Sequence, residues 1–191
     1  MPIFVSAYKE PRRDITRLKE LILYIAQRSE DDERFGSVKL NKILYYADCG
    51  AYLRLGRPIT EARYQHLAEG PAPVELLIAQ RELLDEGAAI TEERPYYNRT
   101  QRRLTPKRGS NSSLFSREEL DIVDEVIADL WNLNGADVSK RSHEEWGWRL
   151  TSDREMIEFR TYWLSPEPLS QEQVEYGIGL WEELNAGAAG A

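Results

Sequence analysis

The stretch Lys39-Leu40-Asn41-Lys42-Ile43-Leu44-Tyr45-Tyr46-Ala47-Asp48 decides how the rest of this chain is read. Leu40, Ile43, Leu44, Ala47 and Ala51 recur at helical spacing and predict one buried face. Lys39, Lys42 and Asp48 fall on the other side, and their alternating charge predicts a solvated face. Ser37 is placed to cap the helix start, and Gly56 followed by Pro58 stops it. Tyr45 and Tyr46 are adjacent and point about a quarter-turn apart, so one Tyr is expected in the core and the other on display.

Working outward, the chain has 191 residues, 41% of them hydrophobic, with five Trp and ten Tyr. That is enough apolar surface for one domain, 1–191, with a core over about 14–184 and a frayed tail at 186–191. A formal charge of −8 opposes whole-surface attraction to nucleic acid or an anionic membrane, though a basic patch can act locally. The single Cys49 cannot form an internal disulfide and reads as a small core residue, which fits a reducing cytoplasm. The N-terminal apolar run is only Ile3-Phe4-Val5, and nothing approaches the ~20 apolar residues of a spanning helix. An intracellular protein without a membrane partner is therefore expected.

A first helix opens at Asp14, with Ile15, Leu18, Leu21, Ile22 and Ile25 on its apolar face. After the central helix, Ala62 to Leu67 reads as a short edge strand. The turn Glu69-Gly70-Pro71-Ala72-Pro73 feeds a third helix aligned on Val74, Leu77, Ile78 and Leu84 and ended by Gly87. Ala88–Glu93 and Arg99–Leu104 read as a β-hairpin around Pro95-Tyr96-Tyr97-Asn98, and Lys107 to Ser113 as a loop. Ser116 with Glu119 forms a capping box for a fourth helix, whose buried face is Leu120, Val123, Ile127 and Leu130 and which Gly135 closes. A short helix over Asp137 to His143, an aromatic turn at Trp146-Gly147-Trp148 and a last helix over Gln171 to Leu184 through Val174, Ile178 and Trp181 complete the chain. The fold class is α+β, mainly helical, with one small antiparallel sheet.

The decad, then Gly56-Arg57-Pro58-Ile59, then Gly70-Pro71, then Ser142-His143-Glu144 with an aromatic at Trp146 or Trp148, resembles the Panacea domain family, which includes SocA-like antitoxins. The resemblance runs from about Leu18 to about Trp163. Its motif positions here are Lys39, Leu40, Lys42, Leu44, Tyr45, Gly70, Pro71, Ser142, His143 and Glu144. It implies a mostly helical fold with a few short strands and a non-enzymatic antitoxin that binds a cognate toxin encoded by an adjacent gene. The Ser-His-Glu stretch carries over as a structural or toxin-facing element.

The residues themselves offer little catalytic machinery. His66, His143 and Cys49 are the only imidazoles and thiol, and His143-Glu144-Glu145 lacks the two-histidine spacing of a metal-binding helix. Gly56 and Gly70 are isolated, so no phosphate-cradling loop exists and no cofactor is implied. His66 reads as a satisfied polar residue and His143 as an organiser of its turn, packed over Trp146 and Trp148.

The hairpin is the feature that asks for a partner. Arg94, Arg99, Arg102, Arg103, Lys107 and Arg108 lie in a stretch with no acid, with Tyr96 and Tyr97 at the tip, whereas Ser116 to Glu183 carries seventeen acids against six bases. Tyr96, Tyr97, Arg99, Arg102 and Arg103 are accordingly the expected toxin-binding residues, Tyr and Arg being common interface anchors. A plain solvated hairpin is the bland alternative. Two helices followed by a basic hairpin also resemble the outline of a winged helix, so a DNA-binding regulator is a rival reading, disfavoured by net charge. A proteolytic adaptor delivering a toxin to a protease is the other rival, suggested by the SocA-like branch of the resemblance.

Overall fold

An amphipathic helix resting on a core keeps one polar face in water, but a helix at the centre of a small protein cannot. Helix α2, Ser37–Leu55, is of the second kind: every residue from Lys42 to Cys49 is buried. In the computed structural model, which describes residues 14–96, 99–163 and 170–188, α2 is wrapped by α1 (Thr16–Arg28), α4 (Arg117–Leu130), α5 (Gly135–Ser142) and the aromatic turn Phe159–Trp163. The chain adds α3 (Leu76–Asp85), α6 (Trp146–Arg149) and α7 (Gln171–Ala188). Strands β2 (Ala72–Pro73), β1 (Tyr64–Gln65) and β5 (Met156–Ile157) form one antiparallel sheet, and β3 (Ala89–Tyr96) with β4 (Arg99–Pro106) forms the hairpin. The fold is mainly helical with small antiparallel sheets, as the sequence predicts.

Several elements follow directly from local chemistry. The Asp14 carboxylate accepts the Thr16 N–H at 2.9 Å as α1 begins, and Ser116 and Glu119 cap α4 reciprocally. Gly56 ends α2 with φ of +73°, a left-handed conformation that a Cβ would disfavour. Cys49 is buried in the core beside Leu44 and Ala51.

The expected solvated face of α2 is overturned. Lys39 is 1% exposed, and Lys42 and Asp48 are 0% exposed. Tyr45 and Tyr46 are both buried, because the turn carrying Tyr162 supplies a second aromatic surface, packed edge-on against both rings. Ser37 does not cap α2: Gly36 stands at the cap, and the Ser37 hydroxyl donates to the Arg102 carbonyl at 3.0 Å. β1 is the middle strand of its sheet rather than an edge, since β5 arrives from a distant part of the chain to pair with it.

The third helix also differs. Ala72-Pro73 is strand, α3 starts at Leu76, and its buried face is Leu76, Ala79 and Leu83, while Leu77, Ile78 and Leu84 are exposed. Large apolar side chains set the expected face, and the small Ala79 marks the real one. Gly135 opens α5 instead of closing α4: the Asn134 side chain accepts from Ala136 and Asp137, and Asp137 returns a bond to the Asn134 N–H. Val174, Ile178 and Trp181 on α7 are exposed, and α7 continues past Leu184 to Ala188. The hairpin holds in register from Ala89 opposite Pro106 to Tyr96 opposite Arg99, while Tyr97, Asn98 and 189–191 lie outside the described residues.

Arg103 belongs to this frame. Its guanidinium donates to the carbonyls of Asp32 at 2.8 Å and of Ser29 and Glu30 at 2.6 Å, so it gathers three acceptors of the turn where α1 ends, and it stacks over Phe35. Replacing Arg103 with Met removes these three charge-assisted bonds and the ring contact and is expected to lower unfolding free energy by about 2 to 4 kcal/mol. The exposed neighbour change Arg102→Ala should cost less than about 0.5 kcal/mol. Urea titration of both variants checks the contrast, and equal losses would reject Arg103 as part of the frame.

Candidate functional site

The sequence motifs converge on α2. The Lys39 ammonium donates to the buried Asp32 carboxylate and to the carbonyls of Trp131 and Leu133, both at 2.9 Å, so one side chain ties the α1–α2 connection to the segment between α4 and α5. Burial pulls the Lys39 amine below its ordinary range, against the Asp32 carboxylate, which favours its charge. Leu40 and Leu44 are core residues.

One turn of helix away, the buried Lys42 ammonium donates to the Pro71 carbonyl at 3.0 Å. Burial pushes its pKa from 10.5 to about 8, partly opposed by Glu69. Gly70 allows this approach. It has φ of +94°, and a Cβ there would sit 2.2 Å from the Ser142 hydroxyl and 2.7 Å from Lys42 Cε. The Ser142 hydroxyl donates to the Ser139 carbonyl at 2.8 Å, and Ser139 in turn donates to the Glu69 carbonyl at 3.0 Å, which closes α5 onto the Gly70-Pro71 turn.

The two histidines meet on opposite sides of one indole. His66 stacks on Trp148 with centroids 4.2 Å apart, and His143 stacks at 4.0 Å. The Trp148 N–H donates to the Leu67 carbonyl at 3.1 Å, while His66 Nδ1 lies 3.1 Å from the Trp148 carbonyl and 3.2 Å from the Thr151 hydroxyl. Burial, and then the nearby Lys42, push His143 below the ordinary imidazole range. His143 thus organises the turn against Trp148, while Trp146 pairs with Arg149 at its own ring. Glu144 is exposed. Asp48 completes the buried set by accepting from the N–H groups of Ile59 and Thr60 and the hydroxyl of Tyr64, each at 2.8 Å.

The motif positions therefore form an internal polar framework rather than an open reaction centre. Among the described residues no three His, Cys, Asp or Glu side chains are grouped as metal ligands would be, and no helix is long and apolar enough to cross a membrane. Sequence reasoning missed Asp32 and Glu69 beside Lys39 and Lys42, and it placed Trp148 under His143 without seeing that the same indole also carries His66. The available signal was α2 itself, where the unbroken run Ile43 to Ala47 between Lys42 and Asp48 leaves no polar face for them to share.

The hairpin cations are less free than their sequence density suggests. Arg94 pairs with Glu92 at 2.7 Å, Arg108 binds Glu20, and Arg103 is buried in the frame. The Arg103 assignment as a surface toxin contact is withdrawn for that reason. Arg102 remains exposed, and Tyr96 is half-buried at the far end of β3. With Thr100, Gln101 and Arg34 they border an open cleft of about 390 Å³, floored by Gly36 to Lys39 at the start of α2 and by Asn134 to Ala136 at the start of α5. Glu69 lies on its rim. The backbone of Arg99 pairs with Tyr96, while Tyr97 lies outside the described residues.

Comparison with known protein families finds a match to the model described as "Antitoxin SocA-like, Panacea domain" over residues 40–149. The chain belongs to this family. No curated relative and no solved structure matches it.

The Lys42 amine makes a pH dependence. Below about pH 8 both folded and unfolded chains carry the proton, and the folded chain bears the cost of a buried charge. Between about 8 and 10.5 the unfolded chain holds more protons than the folded one, so stability rises with pH. Above about pH 10 the raised phenol pKa values of Tyr45 and Tyr46 work in the opposite direction. The buried Cys49 thiol, which burial holds protonated, opposes the Lys42 rise over the same range. The Lys42 effect is therefore read as a difference: from about pH 7.5 to 9.5 the wild-type chain should gain about 1 to 2 kcal/mol relative to Lys42→Met in urea unfolding, and equal slopes in the two would refute the assignment.

Proposed function

We propose that this member of the SocA-like Panacea domain family acts in the cytoplasm as a non-enzymatic antitoxin that neutralises a toxin encoded by an adjacent gene through direct binding. The observation that carries this reading is the division of labour among its polar residues. Lys39, Lys42, Asp48, Ser142 and Arg103 face inward and hold the fold, leaving the Tyr96 and Arg102 face as an outward, partner-ready surface.

The cleft under that face suits an acidic segment of a partner. Arg34 and Arg102 border it, and α2 begins there without a side-chain cap, so the positive end of a long helix dipole points toward it. Arg and Tyr supply the kind of anchor whose truncation dominates interface energetics. The DNA-binding reading is weaker. In a winged-helix arrangement α3 would be the reading helix, and its exposed residues are Leu77, Ile78, Arg81, Leu84 and Asp85, where the one cation lies 3.9 Å from an acid and the rest suit neither base edges nor phosphates.

Co-expression with the protein of the adjacent gene tests this reading by growth rescue and co-purification. The wild-type chain should rescue growth and form a stable complex, whereas Arg102→Glu should weaken the complex about tenfold or more, a loss of at least ~1.4 kcal/mol, with folding unchanged. Wild-type affinity in the Arg102→Glu variant would remove the hairpin contact. Failure of the wild-type chain to bind or rescue would overturn the antitoxin reading itself.

A further inference from the structure

A second cavity, of about 270 Å³, lies between the hairpin and the end of α1, and it shares no lining residue with the cleft bordered by Arg102. Ala26, Gln27 and Glu30 of α1 and the turn after it form one wall. The other wall is basic. Arg94 comes from β3 and Arg103 from β4, and Lys107 and Arg108 follow where β4 ends. Side chains alternate along a strand, so Arg103, Thr105 and Lys107 share one face and Arg102 takes the opposite one. Among the described lining residues Glu30 is the one acid.

These cations are not equally engaged. Arg94 gives its Nε and Nη2 to Glu92, and Arg108 turns to Glu20. Arg103 is different: it is 3% exposed, and all three of its hydrogen bonds go to neutral carbonyls rather than to a carboxylate. Carbonyls satisfy its N–H groups without cancelling its charge, and a buried charge without a counterion is costly. Burial, and then the like charge of Arg94, pull the guanidinium below its ordinary range. Of the acids that oppose this, Asp32 is held by Lys39 and Glu92 by Arg94, which leaves Glu30. The Lys107 ammonium is exposed and makes no hydrogen bond or ion pair among the described residues. The Thr105 hydroxyl oxygen is buried near the Glu92 carboxylate, yet it has no hydrogen-bond partner.

We propose that this cavity binds the phosphate group of a small molecule, with Arg103, Lys107 and Thr105 donating to its oxygens and Arg94 adding charge beside them. Phosphate matches this donor set because it accepts several charge-assisted bonds at once, from a guanidinium fork and from an ammonium acting as a point charge. The volume falls below the roughly 300 to 1,000 Å³ of sites for drug-sized ligands, which suits a phosphate with at most a small body attached. Glu30 repels a phosphate placed against it and accepts from a hydroxyl, so the body of a sugar phosphate fits the α1 wall. The site stands independently of the antitoxin reading.

Titration calorimetry on the full chain tests it, with inorganic phosphate and ribose 5-phosphate as probes and chloride holding the ionic strength constant. The wild-type chain should bind at one saturable site. Lys107→Glu should weaken binding about tenfold or more with the unfolding midpoint unchanged, because Lys107 is exposed. Thr105→Val, which keeps the shape of the side chain, should weaken it several-fold, and Glu30→Gln should tighten inorganic phosphate. Arg102→Glu makes the same change in net charge on the other cleft and should leave the affinity within about twofold. Tighter binding of ribose 5-phosphate supports the site with an ester as occupant, and tighter binding of inorganic phosphate supports it with the free ion. Absence of saturable binding by the wild-type chain would overturn the proposal. So would equal losses in Lys107→Glu and Arg102→Glu, which would reduce the effect to the field of the whole molecule.

Discussion

Enclosure of a charged helix is the constraint on which the rest of this structure depends. A lone buried ammonium or carboxylate is costly, and a helix wrapped on every side cannot send its charges to water. Each buried charge on α2 instead reaches a different neighbouring segment, and only Arg54 in the last turn is exposed. Lys39 reaches Asp32 and the chain between α4 and α5, Lys42 reaches the Gly70-Pro71 turn, and Asp48 reaches the backbone beyond Gly56 and the Tyr64 hydroxyl. These bonds fix where segments distant in sequence must lie relative to the helix. Apolar packing alone would tolerate slippage among the surrounding helices, whereas a buried charge accepts one arrangement of partners.

The same logic explains the hairpin. A basic hairpin on an acidic chain looks like a nucleic-acid or partner surface when only the sequence is counted, but charges are also structural currency. Arg103 closes the end of α1, Arg108 reaches Glu20, and Glu20 in turn holds the loop after β4 through the Asn111 N–H at 2.6 Å. The hairpin is therefore fastened along α1 before any partner arrives. What it presents outward is smaller than the raw charge: Arg102 and Lys107, the Tyr96 end and the cleft beside Arg102.

Much of the fold was legible because local signals and tertiary packing agreed. Periodicity found α1, α2 and α4, the Ser116 and Glu119 box fixed the start of α4, and the hairpin followed from its extended runs. Misreadings arose where the deciding partner was remote. Nothing near Tyr64 announces that Met156 and Ile157 will pair with it, and nothing near Lys39 announces Asp32 and the Trp131 carbonyl together. In α3 the large residues Leu77, Ile78 and Leu84 drew the eye away from Ala79, whose small side chain permits close approach to the core. The motif residues were visible as a set in the sequence, but their inward direction was not, since Lys and Asp on a helix are ordinarily solvated.

An inward-facing motif has a consequence for function. Residues that hold the fold together cannot change without loss of stability, whereas an exposed residue on the hairpin such as Arg102 can change at little cost to the fold. A scaffold built this way can meet different partners by altering its rim while its framework stays fixed. Rigid support also favours binding, because a surface already held in place by Arg103 and Lys39 loses little conformational freedom on association. Under the antitoxin proposal, the polar framework around α2 would contribute to recognition indirectly, by fixing the position of the surface above it.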